Sequence, residues 1–166
     1  LGSNLFSGSL PTFEELEHLS QLDLSDNNLV GTIPRSFLSG IGLRDPIQVD
    51  LSSNSLSGTV PTDLDLLNQL TIYLRDNKFT GLPPTLCDSN NQGWNLREVE
   101  LYGCDAIMCP PGTANFHGRQ SSENIRCMSC QSNKKLYGQI TCDGMPMLGS
   151  SGSRLLQGGA AILASL

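Results

Sequence analysis

The sequence predicts a solenoid: an arc of short parallel strands on a concave face, irregular or 3-10 segments on the convex side, and a small disulfide-rich cap at the C-terminal end. Three observations predict it. The stretch VDLSSNSLSGTVP at Val49–Pro61 nearly repeats LDLSDNNLVGTIP at Leu22–Pro34. Asparagines recur in the same register at Asn4, Asn27, Asn54 and Asn77, at intervals of 23, 27 and 23. All six cysteines, Cys87, Cys104, Cys109, Cys127, Cys130 and Cys142, lie in the second half of the chain. A catalytic site needs one copy of its residues, whereas a stack needs many, each burying its apolar side chains only against its neighbours.

In one turn, LEHLSQLDLSDNNLVGTIP, leucines fall at 16, 19, 22 and 24, followed by Asn27, Leu29, Gly31, Ile33 and Pro34. Leu22 and Leu24 alternate as in a short strand, while Leu16, Leu19 and Leu22 step by three as in a tight irregular helix. A coil that combines both, with all its leucines inward, satisfies the pattern. The asparagine side chains are suited to satisfying backbone groups where the strand bends away. The recurrent glycine permits the turn that follows. Pro34, Pro61 and Pro83 fix φ after a second short extended segment. One more interval of 27 beyond Asn77 reaches Cys104, where LREVELYGC sets Leu96, Val99, Leu101 and Cys104 in the same places. Five turns are therefore expected, the first only in its second half, with Asn4, Asn27, Asn54, Asn77 and Cys104 as structural anchors.

This pattern resembles the plant-type leucine-rich repeat family, written L-x-x-L-x-L-x-x-N-x-L-x-G-x-I-P, over roughly residues 1–111. The resemblance implies a leucine-rich repeat solenoid of α/β type. Intervals of 23 are one short of that family's usual unit. Those of 27 carry insertions at SGIGLRDP and CDSNNQGWN, which are expected to bulge from the convex side.

From Cys109 onward leucine periodicity stops, and Gly, Ser, Asn and Cys take over. The last turn of a solenoid must be capped, and a segment this short cannot build a core of its own without staples. The string CPPGT…C-x-x-C…YG…C, within residues 109–143, resembles the small Cys-rich modules of ephrin-receptor and tumour-necrosis-factor-receptor type, and the Cys-rich tails of algal receptor-like proteins. That resemblance implies the pairs Cys109–Cys127 and Cys130–Cys142, and Cys87 with Cys104 is the pair that then remains. Each bridge would contribute on the order of 3 kcal/mol in the loop-entropy picture. The rival reading is a zinc site in which Cys109, Cys127, Cys130 and Cys142 supply thiolates with His117 nearby. Zinc ribbons usually pair two C-x-x-C knuckles, however, and here there is one.

Composition narrows the function. Net charge is −6, and ten Lys and Arg are scattered without a basic run, which argues against nucleic-acid binding and attraction to anionic membranes. Aromatics make up only 5%, so the core must be leucine-rich. Clustered, even-numbered cysteines point to an oxidising compartment. The absence of any N-x-S/T sequon departs from most extracellular plant-type repeats. No nucleophile and base pair stands out. His18 lies in a repeat spacer and His117 in the Cys-rich loop. DSNNQG at 88–93 begins like a calcium loop, with Asp88, Asn90 and Gly93 in place, but its twelfth position is Val99 rather than Glu. No cofactor, metal or catalytic residue is assigned.

A ligand is expected on the concave face, where alternate strand residues point outward. The outward columns are Asp23, Asp50, Tyr73, Glu100 and Ser25, Ser52, Arg75, Tyr102, flanked by Gln21, Gln48, Thr71, Glu98 and by Asp26, Ser53, Asp76, Gly103. The face is acidic, and it gains Tyr73, Arg75 and Tyr102, residue types favoured as interface anchors, toward its C-terminal end. Asp23, Asp50, Tyr73, Arg75, Glu100 and Tyr102 are the candidate ligand-binding residues. By resemblance to receptor-like proteins, the expected function is extracellular, cell-surface recognition of a protein, peptide or glycan, within a larger membrane-tethered or secreted protein. The alternatives are an inhibitor of a secreted wall-degrading enzyme, for which a basic partner would suit the acidic face, and an intracellular repeat scaffold with a zinc-bound Cys cluster. Residues 144–166 read as a flexible tail, or as the start of a truncated segment, the apolar stretch Leu155–Leu166 being too short to span a bilayer.

Overall fold

A computed structural model describes residues 1–88, 93–130, 135–142 and 145–146. Most of the calcium-loop candidate and nearly all of the 144–166 tail lie outside them. The repeats form a leucine-rich repeat solenoid whose concave sheet has three parallel strands, β2 (Gln21–Asp23), β4 (Ile47–Asp50) and β6 (Leu70–Tyr73). A second parallel sheet joins β1 (Ser7–Gly8), β3 (Asn28–Gly31), β5 (Ser55–Thr59) and β7 (Lys78–Gly81) in that order. In the concave sheet strand register follows the repeat register, with Leu22 opposite Val49 and Val49 opposite Ile72. The same repeat positions fill each layer of the core: Leu24, Leu51 and Leu74; Leu29, Leu56 and Phe79; Ile33, Val60 and Leu82, all buried. Each such side chain contributes about 1.5–3 kcal/mol of apolar burial, and none could do so without the turn above or below it. Leu16 is a correction to the all-inward expectation, being half exposed in its spacer.

The bend after each concave strand is made the same way every time. Ser3, Asp26, Ser53 and Asp76 each adopt a left-handed backbone, with φ between 52° and 55°, and each immediately precedes an asparagine. Asp tolerates that conformation better than most side chains because its short polar group can bond locally. The asparagine then completes the turn. Asn77 accepts a hydrogen bond from the Leu56 N–H at 2.9 Å and donates to the carbonyls of Leu51, Leu74 and Arg75. Asn54 accepts from Leu29 N–H and donates to Leu24, Leu51 and Ser52. Asn27 accepts from Phe6 N–H and donates to Leu1, Leu24 and Ser25. The exposed side chain of Asn4 donates to the Leu1 and Gly2 carbonyls of its own turn.

The register breaks at the expected fifth turn. Trp94–Arg97 forms a 3-10 turn, α1 spans Glu98–Tyr102, and a further 3-10 turn runs over Gly103–Ala106. Of the three apolar residues expected inside, only Val99 is buried; Leu96 is 78% and Leu101 70% exposed. The edge where a fifth strand would dock is already taken. Asn95, itself buried, accepts the Ile72 N–H at 2.8 Å and donates to the Ala106 carbonyl. Holding it there takes three successive residues with positive φ, Asn95, Leu96 and Arg97. The buried Trp94 anchors the start of this segment by donating from Nε1 to the Leu67 carbonyl at 2.6 Å.

The cap follows. Disulfides join Cys87 to Cys104, Cys109 to Cys127 and Cys130 to Cys142. Two small antiparallel pairs accompany them, β8 (Thr113–Ala114) with β9 (Met128–Ser129) and β10 (Thr141–Cys142) with β11 (Met145–Pro146). The cap rests on the last turn through its backbone. Gly138 accepts the Asp76 N–H at 3.0 Å, as Ser52 accepts that of Asp26 and Arg75 that of Ser53. Tyr137 donates to the Phe79 carbonyl. A loop of the cap thereby takes the place of the next turn. Because every cysteine is bridged, no thiolate remains for the zinc alternative.

Candidate functional site

On the concave sheet Gln21, Gln48 and Thr71 stand side by side, as do Asp23, Asp50 and Tyr73. The ends of β2 and β4 repeat one device. Asp23 accepts from the Ser25 N–H and hydroxyl, and Asp50 does the same with Ser52. The hydrogen bonds from Ser25 hold the Asp23 carboxyl below its usual range. At the end of β6 the Asp and Ser give way to Tyr73 and Arg75.

That change coincides with a fold-back of the cap. The loop 115–119 arches to the same corner, held in shape by the buried Asn115. Its Oδ1 accepts from the His117 and Arg119 N–H groups, and its Nδ2 donates to the Arg119 carbonyl. Arg119 sits over the Tyr73 ring with its guanidinium carbon 5.1 Å from the centroid, and it pairs with Glu98 from α1. Arg75 donates to the Phe116 carbonyl at 3.3 Å. Gly118 has φ +65°, and a Cβ there would lie 2.5 Å from the Cβ of Arg75, so the close approach depends on glycine. Between loop and sheet lies a cavity of about 250 Å³ lined by Asp50, Ser52, Tyr73, Leu74, Arg75, His117 and Arg119. Burial, then the charges of Arg119 and Arg75, push the His117 imidazole below its usual pKa, with Glu98 acting in the opposite sense.

The structure brings Asp50, Tyr73 and Arg75 together and leaves Asp23 away from them, on β2 of the same column. Glu100 and Tyr102 do not join them as a fourth rung, because both ride on α1. Glu100 pairs with Arg97 at 2.8 Å, and Tyr102 is half-buried against the core. Sequence reasoning missed His117 and Arg119 as members of the corner, and Asn95 and Asn115 as its supports. The only local signal was the FHGR string, whose glycine is demanded by contact with a residue 43 positions earlier (118 − 75).

Chemically the corner offers hydrogen bonds and charge. The Ser52 hydroxyl already donates to Asp50, and among the described residues no three metal-ligating side chains are gathered. Nor is any described helix long and apolar enough to cross a membrane. With this geometry in hand, a family model described as Leucine Rich Repeat matches residues 18–39. That match supports a leucine-rich repeat protein, and such domains are generally non-catalytic modules for protein interaction. A search of curated proteins returns no match.

Proposed function

We propose that this chain is a non-catalytic extracellular recognition module that binds a peptide, protein or glycan on its concave face, within a receptor-like, signalling protein at the cell surface or a secreted one. The disulfides support an oxidising compartment. The observation that carries the binding reading is the corner itself, where the repeated Asp and Ser pattern gives way to Tyr73 and Arg75 under the His117 and Arg119 loop. Soluble strand residues need no such roof, whereas a recognition site gains from a concavity lined by a few convergent polar groups. Asp23 and Asp50 extend the contact surface toward the N-terminal end.

The test is capture of ligands from secreted peptides and a glycan array by the immobilised chain, repeated with Tyr73→Ala and with Arg75→Gln. Loss of capture with either substitution supports the reading, and capture indifferent to both discards it. A second reading, inhibition of a basic wall-degrading enzyme, rests on the Asp23 and Asp50 column. It predicts binding to the purified enzyme that weakens with Asp50→Asn and with added salt.

A further inference from the structure

We propose that the cavity between the concave sheet and loop 115–119 is a carboxylate subsite, in which Arg75 receives the anion and His117 adds a proton-dependent donor, so that a peptide ligand docks by a carboxyl group and more tightly in acid. The proposal rests on the recognition reading above and names the ligand chemistry of that site.

Arg75 is the first reason. Arg35, Arg97, Arg119 and Arg126 are each ion-paired with an acidic residue. Arg75 has no such partner among the described residues. Among those residues its guanidinium donates one hydrogen bond, to the neutral Phe116 carbonyl at 3.3 Å. A guanidinium presents five donors in a planar fork suited to bidentate carboxylate binding. In a chain of net charge −6, an unpaired arginine on the wall of a cavity is the group a carboxylate would find. Glu98 neutralises the neighbouring Arg119, which serves to hold Tyr73 in place.

The second reason is the company around Arg75. Asp50 lines the same cavity and engages one carboxylate oxygen, Oδ1, with Ser52. Its other oxygen can accept an N–H from the ligand backbone, pairing donor and acceptor as a peptide requires. A uronate sugar fits less well. Sugar rings favour an open aromatic face, and one face of Tyr73 is covered by Arg119. A cavity of about 250 Å³ suits a single residue or chain end rather than an oligosaccharide.

His117 supplies the pH dependence. The groups facing it are Arg75 from the sheet, Glu98 from α1 and Arg119 from its own loop, with Asp50 and Tyr73 on the shared cavity wall. Without ligand, burial and the two arginines favour the neutral ring. An arriving carboxylate offsets the charge of Arg75, that of Arg119 being already met by Glu98, and so favours the imidazolium. By linkage the complex takes up a proton, so affinity rises as pH falls from neutrality and levels once the free ring is itself protonated. A rise of about one unit in the ring's pKa on binding corresponds to about tenfold in affinity.

The experiment is NMR titration of the full chain, observing the Arg75 Nε–Hε and His117 ring signals at about pH 5.5 and about pH 8, on either side of an ordinary histidine pKa. The probes are N-acetylglycine, N-acetylaspartic acid α-amide with its side-chain carboxyl free, neutral N-acetylglycinamide and glucuronic acid. Saturable shifts are expected with one or both of the first two, tighter at the lower pH, and none with the neutral amide. Which of the two binds distinguishes a chain terminus from an acidic side chain. Arg75→Gln abolishes the shifts, while His117→Asn retains binding without its pH dependence. No saturable shift, equal binding by Arg75→Gln, or a response to glucuronic acid alone overturns the proposal. If macromolecular capture on the concave face persists while these probes fail, the subsite is wrong and the recognition reading stands. If the probes bind and capture is indifferent to the concave substitutions, the failure belongs to the recognition reading.

Discussion

The repeats and the cap solve the same problem by opposite means. In the repeats, each turn is held by stacked apolar side chains and by asparagines that bond to the turn before. The cap has two-residue strands and little apolar interior, and it is tied by covalent bridges across sequence separations of 17, 18 and 12 residues. A repeat stores its stability in its neighbours, whereas the cap stores it in its cross-links. The two ought therefore to fail under different insults.

Reduction is the sharpest way to separate them. Each bridge contributes on the order of 3 kcal/mol, so losing all three should melt the cap. Hydrogen exchange should then accelerate across 105–142, while the Leu56 and Leu51 amides inside the ladder stay protected. Uniform loss of protection would show that the ladder cannot stand without its cap. Next in size is Asn77→Ala, which orphans the Leu56 N–H and the Leu74 carbonyl and takes one of two donors from the Leu51 and Arg75 carbonyls, and should cost about 3 kcal/mol in denaturant midpoint experiments. The same change at exposed Asn4 should stay within about 0.5 kcal/mol. Similar values for the two would remove the asparagine ladder from the account. Gly118→Ala acts on the seam, introducing a strained φ and a clash with Arg75, and is expected to cost about 1–2 kcal/mol. Its signature should be displaced Arg75 and His117 NMR signals with the strand amides unchanged. The smallest effect is acid sensitivity from His117. A histidine whose folded pKa is lowered contributes stability that is fully present above its unfolded pKa and is lost as pH falls through the folded one. His117→Asn should flatten that decline, as followed by thermal melts across the acidic limb.

The repeats were legible because their rule is local. Leu22, Val49 and Ile72 share a register that letters alone reveal, and the Asp23, Asp50 and Tyr73 column follows from it. The same rule misled at Leu96–Cys104. The letters continue the pattern, but nothing in them reports that Asn95 has turned back to take the Ile72 N–H. Nor could spacing reveal that loop 115–119 returns to the concave face, since that path is fixed by cross-links and by a glycine whose need arises from a distant arginine. In the candidate corner, the half lying on a strand was readable and the half lying on the cap was not.

The seat of the cap on Asp76 and Phe79 consists of main-chain hydrogen bonds, and every turn of this coil presents the same groups. Duplication or loss of whole turns farther up the arc would hand the cap an unchanged platform. Arc length can therefore drift by unequal recombination while the terminus, and the corner it roofs, is inherited intact.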